Sequence, residues 1–333
     1  MITKYIADQA VIGSTIIEAL DGGLMLMYSS DDGKHFFKSY DNFRTIAEEW
    51  IVPIDTRTAN ANLLRLKDNR LLMIVRRLSS DPKVAKIKGA SFFTYFSDDD
   101  GRTFYEGKKI NEKEECFYIM NDRILRLESG RIIIPVCYVP TEFIVEELFE
   151  KAGQSGCFYS DDEGETWNHG EWLPAEDVDQ LCEPMIAQGP DGLLHMYMRT
   201  GYGYLYHAVS DDEGKSFSKA VSSSLRSPCA PFTLKYDKIS GKFFAIWDNA
   251  FPAPHPSQNY PRSPICLAES TDCKNWKMIC ELDNSPMHAY GYPNIYFVEN
   301  VVIITYYESP DRKHYSPSHS LKLKIFDRRE LQL

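Results

Sequence analysis

The stretch SDDDGRTF, which begins at Ser97, has a Ser, an Asp two residues later, and then a Gly and an aromatic residue. The same pattern recurs as SSDDGKHF from Ser29, SDDEGETW from Ser160 and SDDEGKSF from Ser210. A fifth copy, STDCKNW from Ser270, is one residue shorter and lacks the Gly. A short pattern that recurs in order along a chain indicates a repeat architecture. We call this pattern the box.

Each box is predicted to occupy a turn between two strands. Apolar or alternating runs precede the boxes, for example FFTYF and GCFY, and another short strand follows. The Asp can accept backbone N–H groups within the turn, the Gly can take a positive φ, and the aromatic ring can pack between sheets. The box aspartates are therefore predicted to be structural and peripheral: Asp31, Asp99, Asp162 and Asp212.

A second unit, an apolar strand, a polar turn and another apolar strand, lies upstream of most boxes. Its instances include NLLRLKDNRLLMIV, RILRLESGRIIIPV and PMIAQGPDGLLHMYM, and NIYFVENVVIITYY from Asn294 is the same unit with no box behind it. Five boxes and this final unit predict an all-β, six-bladed β-propeller. The first blade is expected to be abbreviated, because only STIIEAL and GLMLMYS precede its box.

A ring of blades must close. We expect the N-terminal segment around ITKYIADQ to pair with the strands around LKLKIF, since an open ring would leave strand edges exposed. No linker or low-complexity stretch interrupts the pattern, so residues 1–333 are predicted to form a single domain.

Composition excludes several classes of partner. The chain has 37 basic and 48 acidic side chains, a net charge of −11, which provides no overall positive field for a nucleic acid. The segment MITKYIADQAVIG lacks the features of a secretory signal, and no stretch approaches a membrane span. We therefore expect a cytoplasmic protein with no membrane partner. The eight cysteines show no zinc-type spacing and are expected to be reduced core thiols, and no metal or cofactor is predicted.

Together, the boxes and the strands between them resemble the sialidase superfamily, specifically the BNR-repeat, sialidase-like proteins of the exo-sialidase type, in which this turn is called the Asp box. The resemblance covers most of the chain, from about residue 55 to residue 325. Sialidases grip the substrate carboxylate with three arginines, use a Tyr paired with a Glu as nucleophile, and use an Asp on a mobile loop as acid and base. The resemblance implies a glycosidase that removes a terminal, acidic sugar.

The resemblance assigns roles to particular residues. CEPMIAQGPDGLLHMYMRT resembles the blade that supplies the Glu and one arginine, which implies Glu183 and Arg199. YPRSPICLAES resembles the strand that supplies another arginine, which implies Arg262. AYGYPNIYF resembles the strand that carries the nucleophile, which implies Tyr292, with Tyr290 as a substrate-binding neighbour.

Other family features fit poorly. The first blade is too short for both the Arg-Ile-Pro-like strand and the acid/base loop of a sialidase, and the next blade has Asn60 and Asn62 where an arginine is expected. Arg123, in NDRIL, is a candidate replacement cation. Asp81, in RRLSSDPK, and Asp122 are candidate replacement acids.

The chemistry of these residue types supports a sugar site. Inner strands of a propeller direct their ends to one axis, so distant residues can converge there. The planar fork of arginine suits a carboxylate, and a Tyr hydroxyl, with a free pKa of about 10, needs a base, for which Glu183 is the candidate. Asp248, which ends a strand, is predicted to bind a sugar hydroxyl.

Three functions remain open at this point. The first is a glycoside hydrolase that removes a terminal, acidic sugar from a glycan or oligosaccharide. The second is a non-catalytic glycan-binding propeller, and the third is a related enzyme that acts on a neutral sugar or by elimination. All three take a small-molecule or oligosaccharide ligand, and the oligomeric state stays open.

Overall fold

The fold is a six-bladed β-propeller, seen in a computed structural model that describes residues 1–8, 12–54, 61–86, 88–140, 153–174, 180–251, 262–310 and 319–332. Within these ranges the chain forms 25 strands, an α-helix, Pro82–Lys86, and a 3-10 helix, Arg328–Leu331. The prediction of an all-β propeller with six blades is confirmed.

The first three blades follow one another along the chain. Blade 1 contains β2 (Ile12–Glu18), β3 (Leu24–Ser30), β4 (Gly33–Ser39) and β5 (Glu48–Val52). Blade 2 contains β6 (Ala61–Arg65), β7 (Leu71–Leu78), β8 (Ala90–Ser97) and β9 (Tyr105–Lys109). Blade 3 contains β10 (Cys116–Tyr118), β11 (Leu125–Arg126), β12 (Ile132–Val139), β13 (Gln154–Ser160) and β14 (Asn168–His169), and β10 and β11 both pair with β12.

The last three blades complete the ring. Blade 4 contains β15 (Cys182–Gln188), β16 (Leu194–Arg199), β17 (Tyr204–Ser210) and β18 (Val221–Arg226). Blade 5 contains β19 (Thr233–Asp237), β20 (Lys242–Asp248), β21 (Ile265–Ser270) and β22 (Lys277–Asp283). Blade 6 contains β23 (Ala289–Phe297), β24 (Val301–Ser309), β25 (Ser320–Asp327) and, as its fourth strand, β1 (Ile2–Asp8).

The core lies between neighbouring blades. Six apolar clusters join blades 1 and 2, 2 and 3, 3 and 4, 4 and 5, 5 and 6, and 6 and 1. The first strands of blades 4, 5, 6, 1 and 2 contact one another in that order, which places them innermost. Burial of apolar surface at every blade interface is the main stabilisation of such a ring.

Blade 6 closes the ring with strands from the two ends of the chain. β1 pairs antiparallel with β25, so that Ile2 lies opposite Ile325. The Tyr5 hydroxyl donates a 2.5 Å hydrogen bond to Glu308 Oε2 on β24. The predicted pairing of ITKYIADQ with LKLKIF is therefore confirmed.

The boxes join the third strand of a blade to the fourth. In blade 3, Asp162 Oδ1 accepts the Ser160 hydroxyl and the Thr166 N–H at 2.9 and 2.8 Å, and Asp162 Oδ2 accepts the Thr166 hydroxyl at 2.6 Å. Ser160 Oγ in turn accepts the Gly164 N–H at 2.9 Å. The same bonds recur around Asp99 and Asp212. The box is thus a turn that satisfies its own polar groups.

The predicted box of blade 1 was wrong, and so was the prediction that this blade is abbreviated. The Ser29 copy forms the tight hairpin between β3 and β4, where Ser30 pairs with Gly33. The true box follows β4: Asp41 accepts the Thr45 N–H and hydroxyl, both at 2.8 Å, and blade 1 has four strands. The reason is local chemistry. The two residues of the hairpin turn, Asp31 and Asp32, are of a type common in turns, whereas the true box has positive φ at Asn42 and Phe43 without any Gly.

Candidate active site

Glu183 and Tyr292 share an unusual backbone near the start of an inner strand. Both have a left-handed conformation, with φ of 46° and 48°, and both precede a proline. Each lies at an irregularity in the pairing of its strand, β15 or β23. Residues before proline favour extended backbone, and a left-handed non-glycine residue costs roughly 1–3 kcal/mol. Strain of this kind clusters at functional sites, which supports a role for both residues.

The Glu183 carboxylate is anchored on one side only. Arg199, at the end of β16, places Nη1 2.8 Å from Glu183 Oε1, and the side chains of Arg199 and Glu183 are only 17% and 11% exposed. Glu183 Oε2 is buried without a hydrogen-bond partner among the described residues. The second carboxylate oxygen is therefore available to accept a proton or a hydrogen bond.

Tyr292 interacts electrostatically with this ion pair. Burial raises the pKa of Tyr292 well above its usual range, and the Glu183 carboxylate raises it further. Arg262 and Arg199 act in the opposite direction but do not outweigh the first two effects. The phenol therefore keeps its proton in the free protein, so it needs a base to become a nucleophile.

Arg262 contributes a second guanidinium beside Tyr292. It lies just before β21, is 3% exposed, and its Nη1 donates a 2.5 Å hydrogen bond to the Tyr307 hydroxyl. Its Nε has no hydrogen-bond partner in the described part of the chain. Burial acts to lower the pKa of Arg262, but the Tyr307 phenol and other neighbours raise it overall, so the side chain remains a cation.

Sequence reasoning missed two residues of this group, Tyr307 and Cys229. Tyr307 holds Arg262 and packs against Tyr292, with 5.6 Å between the ring centroids. Cys229 Sγ accepts a 3.2 Å hydrogen bond from Arg199 Nε. The two consecutive tyrosines at the end of NIYFVENVVIITYY were a signal for the first, whereas no sequence signal marks Cys229.

Asp248 is a buried acid whose carboxylate oxygens both lack partners. It ends β20 and is 1% exposed, and neither oxygen has a hydrogen-bond partner within the described ranges. Burial raises its pKa well above the usual range, which Arg262 offsets only in part. The group can therefore exchange hydrogen bonds with a ligand.

Arg123 lies close to the same group but is tied to the protein. Its Nη1 donates a 2.9 Å hydrogen bond to the Phe232 carbonyl, and it interacts electrostatically with Glu183 and Tyr292. Burial lowers its pKa to about 10. Asn62 accepts the Arg123 backbone N–H, so Asn62 serves to position this segment.

The other predicted residues are placed differently, and their roles stay predictions. Asp122 is buried against Lys235 and lines a cavity of about 170 Å³ that also includes Gln188, at the opposite end of β15 from Glu183. Asp81 is exposed and accepts the Lys83 N–H at 2.8 Å, at the start of the short helix. The Tyr290 ring belongs to the apolar cluster between blades 5 and 6.

Blade 1 has no arginine at the start of its inner strand. β2 begins around Gly13 and Ser14, and a Cβ at Gly13 would lie 2.2 Å from Asn121 Cγ. Asn121 Nδ2 donates a 3.2 Å hydrogen bond to the Ser14 carbonyl. The Asn121 amide therefore occupies this space. Asn60, the other residue near an expected arginine, lies outside the described residues.

The described residues offer neither a membrane-spanning helix nor a metal site. Their helices include none that is both long and apolar enough to cross a membrane. Their His, Cys, Asp and Glu side chains include no group of three or more that could hold a metal ion.

Comparisons with known proteins agree with this fold. The family model described as a BNR repeat-like domain matches residues 44–304. Sialidase-3 of Homo sapiens is 30% identical over 164 residues, which are 46% of this chain and 38% of that protein. The matched part thus spans less than half the length of this relative.

Solved structures resemble nearly the whole chain. The Hadza microbial sialidase Hz136 has a TM-score of 0.72 at 17% identity, covering 96% of this chain and 66% of the other. The intramolecular trans-sialidase from Ruminococcus gnavus, solved with oseltamivir carboxylate, has a TM-score of 0.71 at 14% identity, covering 99% and 98%. At these identities the likeness shows a common fold.

Proposed function

Because this chain belongs to the BNR repeat-like domain family, we propose that the site formed by Glu183, Arg199, Tyr292 and Arg262, which we call the axial site, hydrolyses the bond to a terminal, acidic sugar in the manner of a sialidase. The observation that carries the proposal is the arrangement around Glu183. One carboxylate oxygen is held by Arg199, the other is unpartnered, and the Tyr292 phenol lies within electrostatic range.

Arg199 and Arg262 are proposed to bind the carboxylate of the sugar. Arg262 is buried and Arg199 is largely buried, both interact with Tyr292, and Arg262 keeps an unpartnered Nε–H among the described residues. Guanidinium groups can give a carboxylate parallel, charge-assisted hydrogen bonds. The solved structure of the R. gnavus trans-sialidase holds oseltamivir carboxylate, and that of Trypanosoma rangeli sialidase holds DANA. These ligands of structural relatives support a small, anionic sugar as the ligand here.

In the proposed reaction Tyr292 attacks the anomeric carbon while Glu183 Oε2 accepts the phenolic proton. The burial that keeps Tyr292 protonated makes this base necessary, and the charge of Arg262 stabilises the developing phenolate. The bond to the leaving sugar breaks as the bond to Tyr292 forms, and that sugar receives a proton, for which Asp81 and Asp122 remain the candidates. Water then displaces Tyr292 from the anomeric carbon, its proton passes to the acid that protonated the leaving sugar, and Glu183 returns a proton to the phenolate. A cytoplasmic location is part of the proposal.

A glycan-binding propeller without catalysis is the second candidate. The observation that favours it is the placement of those two acids, since Asp122 is paired with Lys235 and Asp81 caps a helix. Neither has a described contact with Glu183 or Tyr292 in the ranges that the structure covers. A site with the arginines but no acid would bind an acidic sugar without cleaving it.

The test combines binding with turnover. DANA is titrated into the protein, and hydrolysis is measured on aryl sialosides, uronides and neutral glycosides. Sialoside hydrolysis that is lost in Glu183→Gln, in a folded variant, supports the proposal. DANA binding without turnover by the parent protein supports the second candidate. An unsaturated product that is lighter than the hydrolysis product by one water would indicate elimination. Absence of DANA binding would overturn both proposals that rest on an anionic ligand.

A further inference from the structure

Two cysteine thiols lie in contact next to Glu183 in the structure. Cys137 Sγ lies 3.4 Å from Cys182 Sγ, and both cysteines are free. Cys137 belongs to β12 of blade 3, whereas Cys182 starts β15 of blade 4 and immediately precedes Glu183. The pair therefore bridges two blades at the point where the candidate base is attached.

The space around the two sulfurs is shaped by a glycine. A Cβ at Gly153 would lie 2.8 Å from Cys182 Sγ and 3.4 Å from Cys137 Sγ, so any larger residue would crowd both. Cys137 is fully buried, whereas Cys182 is partly exposed. An oxidant that enters from the solvent would thus meet Cys182 first, with Cys137 in position to react next.

A chain of hydrogen bonds leads from this pair to Arg199. Cys182 donates its S–H to Gln180 Oε1 at 3.1 Å, and Gln180 Nε2 donates to Cys229 Sγ at 3.4 Å. Cys229 Sγ accepts from Arg199 Nε at 3.2 Å. Both members of the Glu183–Arg199 ion pair are therefore connected to Cys182, one through the backbone and the other through Gln180.

We propose that Cys137 and Cys182 are a modification site, which peroxide converts reversibly to a disulfide, and that this bond weakens the axial site. The hydrogen bond with Cys137 and burial raise the pKa of the Cys182 thiol, so the reaction proceeds through its minor, thiolate form. In the first step this thiolate attacks the O–O bond of a peroxide such as hydrogen peroxide. The hydroxide that leaves takes up the proton that the Cys182 thiol lost, which gives water, and Cys182 becomes a sulfenic acid. Cys137, as thiolate, then attacks the Cys182 sulfur, and a second water leaves. Two thiols are oxidised and one peroxide is reduced to two waters.

The bond changes the site in two ways. A disulfide has its sulfurs about 2.05 Å apart, so they must approach by about 1.3 Å, and Cys182 moves with the strained backbone of Glu183. Cys182 also loses the proton that it donates to Gln180, which releases the Gln180–Cys229–Arg199 chain. Glu183 and Arg199 are thereby displaced relative to each other.

The first experiment tests the bond itself and does not depend on any ligand. The intact protein is treated with hydrogen peroxide, its remaining thiols are alkylated, and peptides are analysed by mass spectrometry. We expect a Cys137–Cys182 cross-link that dithiothreitol reverses. Cys137→Ser removes the cross-link, whereas Cys280→Ser, a control at a cysteine that is partly exposed like Cys182, keeps it. Oxidation of Cys182 to sulfinic acid without a cross-link would overturn the proposal.

The second experiment tests the coupling to the site. Amide hydrogen exchange of the peptides covering β15 and β16 should rise at least fivefold in the oxidised protein and return after reduction. DANA affinity, which rests on the proposed function, should fall at least fivefold. A cross-link with unchanged exchange and affinity would overturn the coupling. Failure of the reduced protein to bind DANA would instead count against the proposed function. In that case amide hydrogen exchange would still test whether the disulfide is coupled to the site.

Discussion

Asp162 follows a buried strand and Asp248 ends one, yet their surroundings are opposite. Asp162, in the box of blade 3, accepts hydrogen bonds from Ser160 and from the N–H and hydroxyl of Thr166. Its slight burial acts to raise its pKa, but the bonds from Thr166 outweigh this and lower it. Asp248 has no such bonds among the described residues, and burial raises its pKa well above the usual range.

The comparison distinguishes polar groups that stabilise the propeller, such as Asp162, from polar groups that are available to a ligand, such as Asp248. Buried polar groups without partners are costly, so a fold keeps few of them. Here several lie close to Tyr292 or Arg262, on Glu183, Arg262 and Asp248. The polar groups of the box turns form their hydrogen bonds within the turn, whereas those of the axial site need a ligand or water as hydrogen-bond partner.

The largest effect should come from a cation at the axis. Arg262→Met should weaken DANA binding by roughly 2–5 kcal/mol, because the ligand carboxylate would be desolvated without its partner. Isothermal titration calorimetry measures the change. Arg329→Met, which alters an 89% exposed arginine, is the control and should leave affinity unchanged. Equal affinities of the two variants would show that Arg262 does not hold the anion.

Two buried histidines outside the axial site should destabilise the protein when they become protonated. His195 Nδ1 and His207 Nε2 lie 3.1 Å apart in blade 4, and burial lowers the pKa of both, that of His207 to about 4. Unfolded histidine has a pKa of about 6.5, so the stabilisation present above pH 6.5 is lost as pH falls from 6.5 towards 4. For His207 the loss is about 3 kcal/mol. Urea unfolding between pH 7 and pH 4 measures it, and His207→Phe should flatten the profile. A parent profile without this fall would contradict the assignment.

The box turn itself can be broken in matched positions. Asp162→Ala should lower the free energy of unfolding by about 1–3 kcal/mol, because it leaves turn donors unsatisfied, and Asp41→Ala should cost the same. Asp31→Ala should cost less than about 0.5 kcal/mol, since Asp31 is an exposed residue of a hairpin. Urea denaturation distinguishes them, and DANA affinity of the folded variants should not change. A large cost at Asp31 with none at Asp41 would restore the original position of the box.

The smallest effect is expected at Asp248. Folding raises the pKa of the Asp248 carboxyl group, so the protein loses stability as the pH rises above the pKa that this group has in the unfolded chain. Asp248→Asn removes this loss and should stabilise the protein at pH 7 by about 1 kcal/mol. The same change should weaken ligand binding if Asp248 contacts the sugar. Melting temperatures at pH 5 and pH 8 give the sign. A variant that is less stable at both pH values would indicate that the carboxylate has a partner.

The fold could be predicted because the box and the strand units recur, so local chemistry repeats at each blade. The exception was blade 1, where SSDDGKHF suits an ordinary hairpin and the true box, SYDNFRT, has no Gly to reveal the positive φ of Phe43. The bulged, pre-proline positions of Glu183 and Tyr292 were visible as Glu-Pro and Tyr-Pro pairs. The partners of the site were not visible. Tyr307 and Cys229 contact the arginines through tertiary packing, and Lys235 meets Asp122 from another blade.

The pairing of β1 with β25 has a consequence for synthesis on the ribosome. Ser320 bonds Asp8 across 312 positions, so at a translation rate of about 5–20 residues per second the first strand waits roughly 15–60 s for its partner. During that interval β1 is an unpaired strand edge, open to association with other nascent chains. Blades 1 to 5 can form earlier, since each takes its strands from one continuous segment. Crowded polysomes and slow translation near the end of the message are therefore the conditions under which misassembly should concentrate.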